Sequence, residues 1–388
     1  MVFNSYFADL HIHIGRDMFD KPVKITGAKS LTLSNILLEA SRNKGMDLVG
    51  VIDSHVPAVQ MELRELLTNQ GARELANGGI QYERTTLILG SEIEVYDSLC
   101  QGPIHVLCFL PDLKSMEEFT QWLKRRVTNI HLSSQRYYGT ARQLQYKVKE
   151  LSGLFIPAHV FTPFKSVYGK GVKRSLTEVL DPALIDAIEL GLSADTAMAD
   201  QISELHRYTF LTNSDAHSLA KIGREYQKIH MEMPSFQELK SALHNLEGRK
   251  IEANYGMNPL LGKYHKTVCA ECFQPVKAGD TCRKCSSNKW VKGVADRINE
   301  LADANVFPSR PPYIYQVPLE YLPTLGPKTL EKLLNVFGTE MDILHHTTEK
   351  ALKEVVSEKL AKAIVSMREG RIRVVAGGGG KYGKVELP

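Results

Sequence analysis

The chain has 388 residues, 43% hydrophobic and 24% charged, with a net charge of +4, enough for two or three domains around a large core. This is ordinary soluble-protein composition, with no apolar run of membrane-spanning length and no secretory leader pattern, so a cytoplasmic protein is expected. Four of the six cysteines fall in two tight pairs, which favours metal binding over a disulfide framework.

Strand-like and helix-like stretches alternate over the first two thirds of the chain. Residues 5–10 read as a strand, 34–44 as a helix stopped by Gly45, and 46–52 as a strand. A helix over 59–75 and strands at 86–89 and 104–110 follow, then helices over 119–130 and 141–151. Residues 154–158 lead to His159, and 187–190 and 208–211 read as late strands. Such alternation predicts parallel strands covered by helices. The character changes near Asn258. A cysteine-rich segment runs to about Trp290, a helix covers 294–301, and the Pro-rich stretch 308–318 should be extended. The domains expected are 1–257, 258–293 and 294–388.

Candidate metal ligands sit at or just after the apolar runs. In extended chain, residues i and i+2 point the same way, so His11 and His13 can grip one ion, and so can Asp215 and His217. Glu92 follows a strand and can bridge two ions. His105, His159, Asp53 and His55 share the strand-end context. Ligands at successive strand ends point to one cluster at the mouth of a parallel barrel, the face where barrel active sites lie. His, Asp and Glu suit zinc, manganese or magnesium.

The Asp9-Leu10-His11-Ile12-His13 element, with Asp53-Ser54-His55, Gly90-Ser91-Glu92 and Asp215-Ala216-His217, resembles the PHP (polymerase and histidinol phosphatase) family over about 1–255. The resemblance implies a distorted seven-stranded β/α barrel, up to three metal ions and phosphoester hydrolysis. It also implies a ligand shortly after the first His-x-His, filled by Asp17 or Asp20 with Asp20 favoured, and one at Asp53 or His55 with His55 favoured. Water activated by two or three ions attacks in line, with Glu92 and Asp215 the catalytic carboxylates.

Cys269, Cys272, Cys282 and Cys285 form two C-x-x-C pairs separated by nine residues. Four thiolates at that spacing predict one closed tetrahedral zinc site, with a turn at Gly279-Asp280. Lys277, Arg283, Lys284, Lys289, Lys292 and Trp290 surround it. Basic and aromatic residues together suit nucleic acid. Farther on, Gly326 and Lys328 open a helical stretch that resembles a helix-hairpin-helix element, whose backbone N–H groups and lysine would meet a phosphate. A second copy at 356–364 lacks the glycine. The Gly-rich end, 377–383, reads as flexible.

The order of barrel, four-cysteine element and helical C-terminal module is similar to the endonuclease Q family across nearly the whole chain. That resemblance implies a DNA repair endonuclease that cuts 5′ to deaminated bases (uracil, hypoxanthine, xanthine) and abasic sites. DNA carrying such lesions is the expected partner, with other repair or replication proteins as further candidates and no membrane. Arg136, Tyr137, Tyr138, Lys165, Tyr168 and Lys170 are candidates for contacting DNA beside the barrel loops. The rivals are a phosphatase acting on a small phosphomonoester, which leaves the C-terminal third idle, and a DNA-binding protein with an inert barrel, which leaves the ligand set unexplained.

Overall fold

The computed structural model describes residues 2–69, 71–371, 373–375, 377 and 383–386. The core of the Gly-rich end, 378–382, lies outside them.

Seven strands form a ring. β1 (Asn4–Ile12) pairs in parallel with β2 (Leu48–Val51), and β2 with β3 (Thr85–Val95). β4 (Ile104–Leu110) returns antiparallel to β3 and pairs antiparallel with β5 (Leu154–Pro157). The Phe155 carbonyl accepts from Asp186 N–H, and Val160 N–H donates to the Glu189 carbonyl. These bonds join β5 to β6 (Ala187–Glu189), which pairs in parallel with β7 (Thr209–Leu211). The ring closes at a parallel bridge between Ile12 and Ala216. This is the PHP-type barrel expected, but it is not fully parallel. Because β4 runs backwards, His105 stands near its start, beside Glu94 of β3, and still reaches the same mouth.

The strands are nearly continuous apolar runs because both faces are buried. Leu107 and Phe109 of β4 pack in one cluster with Leu10, Ile88 and Ile156. Val106, Cys108 and Leu110 pack with the covering helices. Helix starts follow their caps. The helix Leu33–Leu38 begins at Thr32, Leu113–Leu123 at Asp112, and Ala141–Glu150 in a capping box of Thr140 with Gln143. Gly45 ends the first helical stretch in a left-handed conformation (φ 79°). The helix expected over 59–75 is instead Pro57–Thr68. Arg73–Glu74 turns away to form a hairpin with Ile80–Tyr82.

The barrel sheet continues outward from β1 through β8 (Tyr226–Met231), β9 (Lys250–Gly256) and β10 (Tyr313–Tyr315). The Pro-rich stretch therefore adds a strand to the barrel's own sheet. Farther along, a buried Lys44–Glu340 ion pair of 2.7 Å and a 2.7 Å bond between Tyr226 Oη and His345 Nε2 join the helical C-terminal module to the barrel. The module comprises the helices Pro327–Phe337, Glu349–Val355 and Glu358–Arg368. None of the helices is long and apolar enough to cross a membrane, among the described residues.

Candidate metal centre

His11 and His13 end β1 and follow it, pointing into one space at the barrel mouth. Three groups there bring ligand atoms within 4.8 Å of one another: His11, His13 and Glu92; Glu92, His105 and His159; and His13, Asp215 and His217. Glu92 lies between the first two. Its Oε1 is 2.7 Å from His105 Nδ1, 3.4 Å from His159 Nε2 and 3.6 Å from His11 Nε2. Asp215 Oδ1 lies 3.5 Å from Nε2 of both His11 and His13 and 3.3 Å from His217 Nε2. His159 (φ 31°) and Asp215 (φ 46°) are both left-handed non-glycine residues, a costly conformation that clusters at functional sites.

The donor set fits metal ions. Nε2 of His11, His13 and His105 is buried without a hydrogen-bond partner, a costly state unless something cationic is meant to meet it. His11 Nδ1 is engaged by Glu189 at 2.9 Å and His13 Nδ1 by Asp53 Oδ2 at 3.2 Å. A carboxylate behind a histidine fixes its tautomer and aims the other nitrogen at a metal. Electrostatics agree. Burial opposes charging His11, yet Glu189, Asp215 and Glu92 push it up to about 10. Burial likewise works against Asp215 and Glu92, but neighbouring histidines, joined by Lys24 at Glu92, hold both well below the usual carboxylate range. The cavity is short of positive charge.

Several expected ligands are elsewhere. Asp20 has an 87% exposed side chain on the outer loop. Asp17 accepts from the backbone of Phe19 and Lys21 and holds that turn. Asp53 stands behind His13, with Oδ2 also accepting from Ile14 N–H at 2.7 Å. His55 turns to the Ser91 hydroxyl at 2.8 Å and the Leu132 carbonyl. Four neighbours of the centre carry no signal in the sequence pattern. These are Glu189, the buried Lys24, and Ser133 and Ser134, whose hydroxyls reach His13 and Glu92.

Of the residues expected to contact DNA, Tyr168 is out of reach of it. It is fully buried, stacks on Phe161 and donates to Glu204, because the tight turn Val167–Gly171 folds it under the loop. Tyr137 is buried against Trp122. Arg136 and Tyr138 are exposed, with the Arg136 guanidinium 4.9 Å from the Tyr96 ring centre and 5.5 Å from that of Tyr138. Lys165 pairs with Glu94 at 2.7 Å. Lys170 shares a cleft with Trp290 and Lys292. A cavity of about 180 Å³ opens beside the metal centre. Its floor holds His159 and Asp215, and its walls include Leu192, Phe164 and Tyr264.

The four cysteines converge away from the mouth. Sγ of Cys269 and Cys285 are 3.5 Å apart, and those of Cys272 and Cys282 3.4 Å. A tetrahedron with arms of about 2.3 Å has edges of about 3.8 Å, so the set fits one ion. Each pair is a backbone knuckle. Phe273 N–H donates to the Cys269 carbonyl and Ser286 N–H to that of Cys282, and both donors are left-handed (φ 57°). Gly326 caps the helix Pro327–Phe337 with nothing within 4 Å of where a Cβ would stand, and Lys328 is exposed beside it. The turn at 356–364 is capped instead by the Ser357 hydroxyl.

Residues 195–247 match the family described as PHP-associated. The chain is 55% identical over 382 residues to the uncharacterized protein YqxK of Bacillus subtilis, covering 98% of this chain and 99% of that one. It is 34% identical to the crystal structure of the lesion-specific endonuclease PfuEndoQ from Pyrococcus furiosus, with a TM-score of 0.85 over 99% of this chain and 96% of that one. A second similar structure is endonuclease Q in complex with a 27-mer duplex substrate carrying an abasic lesion at the active site. There the identity is 33% and the TM-score 0.84, over 99% of this chain and 97% of that one.

Proposed function

This chain belongs to the endonuclease Q family, and from that premise we propose that it cuts the DNA phosphodiester 5′ to deaminated bases (uracil, hypoxanthine, xanthine) and abasic sites. It is a metal-dependent DNA repair endonuclease, and the finer reading concerns which lesion it cuts, where, and with which residues.

The observation that carries the reading is the pair of unpaired, buried Nε2 atoms of His11 and His13 facing Glu92 and Asp215, with His105 and His159 gathered on the same Glu92 carboxylate. His11, His13, Glu92, His105, His159, Asp215 and His217 would hold the barrel ions, and the four cysteines a structural zinc. Bound there, divalent ions supply an activated water and stabilise the leaving oxygen. Asp215, kept ionised by its histidine neighbours, would accept a hydrogen bond from the attacking water. Asp53 and Glu189 orient the histidines.

The neighbouring cavity supports lesion inspection. Its apolar walls can take a planar base, and its floor lies at the ligands His159 and Asp215. Turning a nucleotide out of the stack is cheapest where pairing is already weak, as at a deaminated or missing base. In this division the barrel, 1–257, cuts. The cysteine element, 258–293, and the C-terminal module, 294–388, hold the duplex with Arg136, Tyr138, Lys165 and Lys170.

The test is incubation of the full chain with end-labelled duplexes carrying one uracil, hypoxanthine, xanthine or abasic site, with manganese, magnesium or chelator. A single nick on the 5′ side of each lesion, lost with chelator, is expected. Equal cutting of undamaged duplex would refute the lesion reading.

A further inference from the structure

Ile25 stands at the tip of a turn with its side chain 77% exposed. Gly27 N–H donates to the Lys24 carbonyl at 2.9 Å, which puts Ile25 and Thr26 at the two central positions of a β-turn, where polar residues and glycine are usual. Both neighbours of Ile25 are fixed to the metal centre. Lys24 Nζ lies 3.2 Å from Glu92 Oε2 and 2.7 Å from Ser134 Oγ, and Thr26 Oγ1 lies 3.0 Å from His217 Nδ1. The backbone of the turn is tied down as well. Val23 N–H donates to the Gly15 carbonyl, Lys24 N–H to that of Ile14, and Ala28 N–H to that of His217. Gly27 packs so closely that a Cβ on it would stand 2.9 Å from the Gly15 Cα. A β-branched side chain is stiff at χ1, so the tip is a rigid apolar peg on a rigid mount. A scattered exposed apolar residue needs no explanation, but this one is held at the rim of the metal centre from both sides.

We propose that Ile25 is a wedge that enters the DNA stack beside the lesion nucleotide and fills the gap left when that nucleotide turns out. Bases follow one another about 3.4 Å apart along a strand, so a phosphate held at the metal centre brings its flanking base steps to the rim where Ile25 stands. Apolar side chains of this kind insert between base steps, and the unstacking they accompany is costly. A rigid peg offsets that cost by replacing the lost stacking contact without itself losing rotamer freedom. Asp215 lines the neighbouring cavity and His217 holds the turn, so one short segment sets the pocket for the base and the wedge for the hole it leaves. Ile25 touches no reacting atom, and its role is to hold the opened duplex. The inference rests on the lesion-cutting reading above.

The test keeps the lesion base constant and varies only the cost of opening the stack. Full-length wild type, Ile25→Ala and Ile25→Leu are given manganese and three duplexes, with one uracil in an A·U pair, in a G·U mismatch or in an unpaired loop. Single-turnover cleavage is measured on each. Truncating so exposed a side chain costs the fold little. Ile25→Ala should slow cleavage of the A·U duplex about tenfold or more, of the G·U duplex less, and of the loop by less than about twofold, because the loop is already unstacked. Ile25→Leu should stay within a few-fold of wild type on all three. Unchanged cleavage of the A·U duplex by Ile25→Ala overturns the wedge. So does an equal loss on all three duplexes, which would make Ile25 a brace for the metal centre. A wild-type chain that nicks none of the three would instead overturn the lesion-cutting reading beneath.

Discussion

Nδ1 of His11 stands 2.9 Å from Oε1 of Glu189, on a carboxylate that is itself pinned by Asn213 Nδ2 at 2.8 Å and His159 N–H at 2.8 Å. The contact puts the His11 proton on Nδ1 and leaves the Nε2 lone pair free. Glu189→Gln offers an amide that can donate to Nδ1 and reverse the tautomer. Affinity for manganese, measured by chelator competition, should fall roughly 10–100-fold while the fold survives. Unchanged affinity would show that Glu189 does not set the tautomer.

Asp215 touches His11, His13 and His217, and replacing it leaves the exposed basic residues Arg136, Lys170 and Lys328 in place. Asp215→Asn should abolish nicking of an abasic duplex and leave its binding within a few-fold of wild type. Single-turnover cleavage and gel-shift titration on the same preparation separate the two. Retained cleavage would remove Asp215 from the reaction.

What could be read from the chain follows from how local each feature is. His11-x-His13 and Asp215-x-His217 are legible because two-residue spacing in extended chain fixes a shared direction. His55 has the same strand-end context, and only a hydroxyl on another strand, Ser91, turns it aside. Glu189 and Lys24 carry no sequence signal because their partners lie 178 and 68 residues away. Tyr168 sits among lysines and glycines that suggest an exposed loop, yet Phe161 and Glu204 draw it inside. The reversed β4 was hidden for a similar reason. An apolar run buried on both faces does not reveal its direction.

Glu225 is buried, accepts from Met257 N–H at 2.9 Å, and leaves Oε2 without a partner. Burial pushes its carboxyl up from 4.5 to about 8. Across that window the folded chain holds a proton that the unfolded chain has released. The native state therefore loses stability as pH rises from about 4.5 to about 8. Glu225→Gln removes this dependence. At about pH 9 it should be more stable than wild type by on the order of 1–3 kcal/mol, with little difference near pH 5. Thermal melting across that range checks it. A parallel pH profile in the two proteins would show that Glu225 is not the titrating group.

Lys328 follows Gly326 and Pro327 at the first turn of the helix Pro327–Phe337. A cation there opposes the helix dipole, so Lys328→Glu should leave the helix as stable or stabilise it by about 0.3–1 kcal/mol. Any loss of DNA binding then cannot be assigned to unfolding, and a matching melting temperature verifies that. If the open N-terminus and Lys328 meet a phosphate, the variant should weaken damaged and undamaged duplex by similar factors, since phosphate contacts carry no base information. The slope of log affinity against log salt should flatten by about one unit. Lesion preference should survive, because the cavity beside Asp215 and His159 is built from barrel loops and the segment around Tyr264, not from this helix. A variant that keeps its affinity but loses its preference for abasic or deaminated sites would make the C-terminal module the lesion reader and reverse that division of labour.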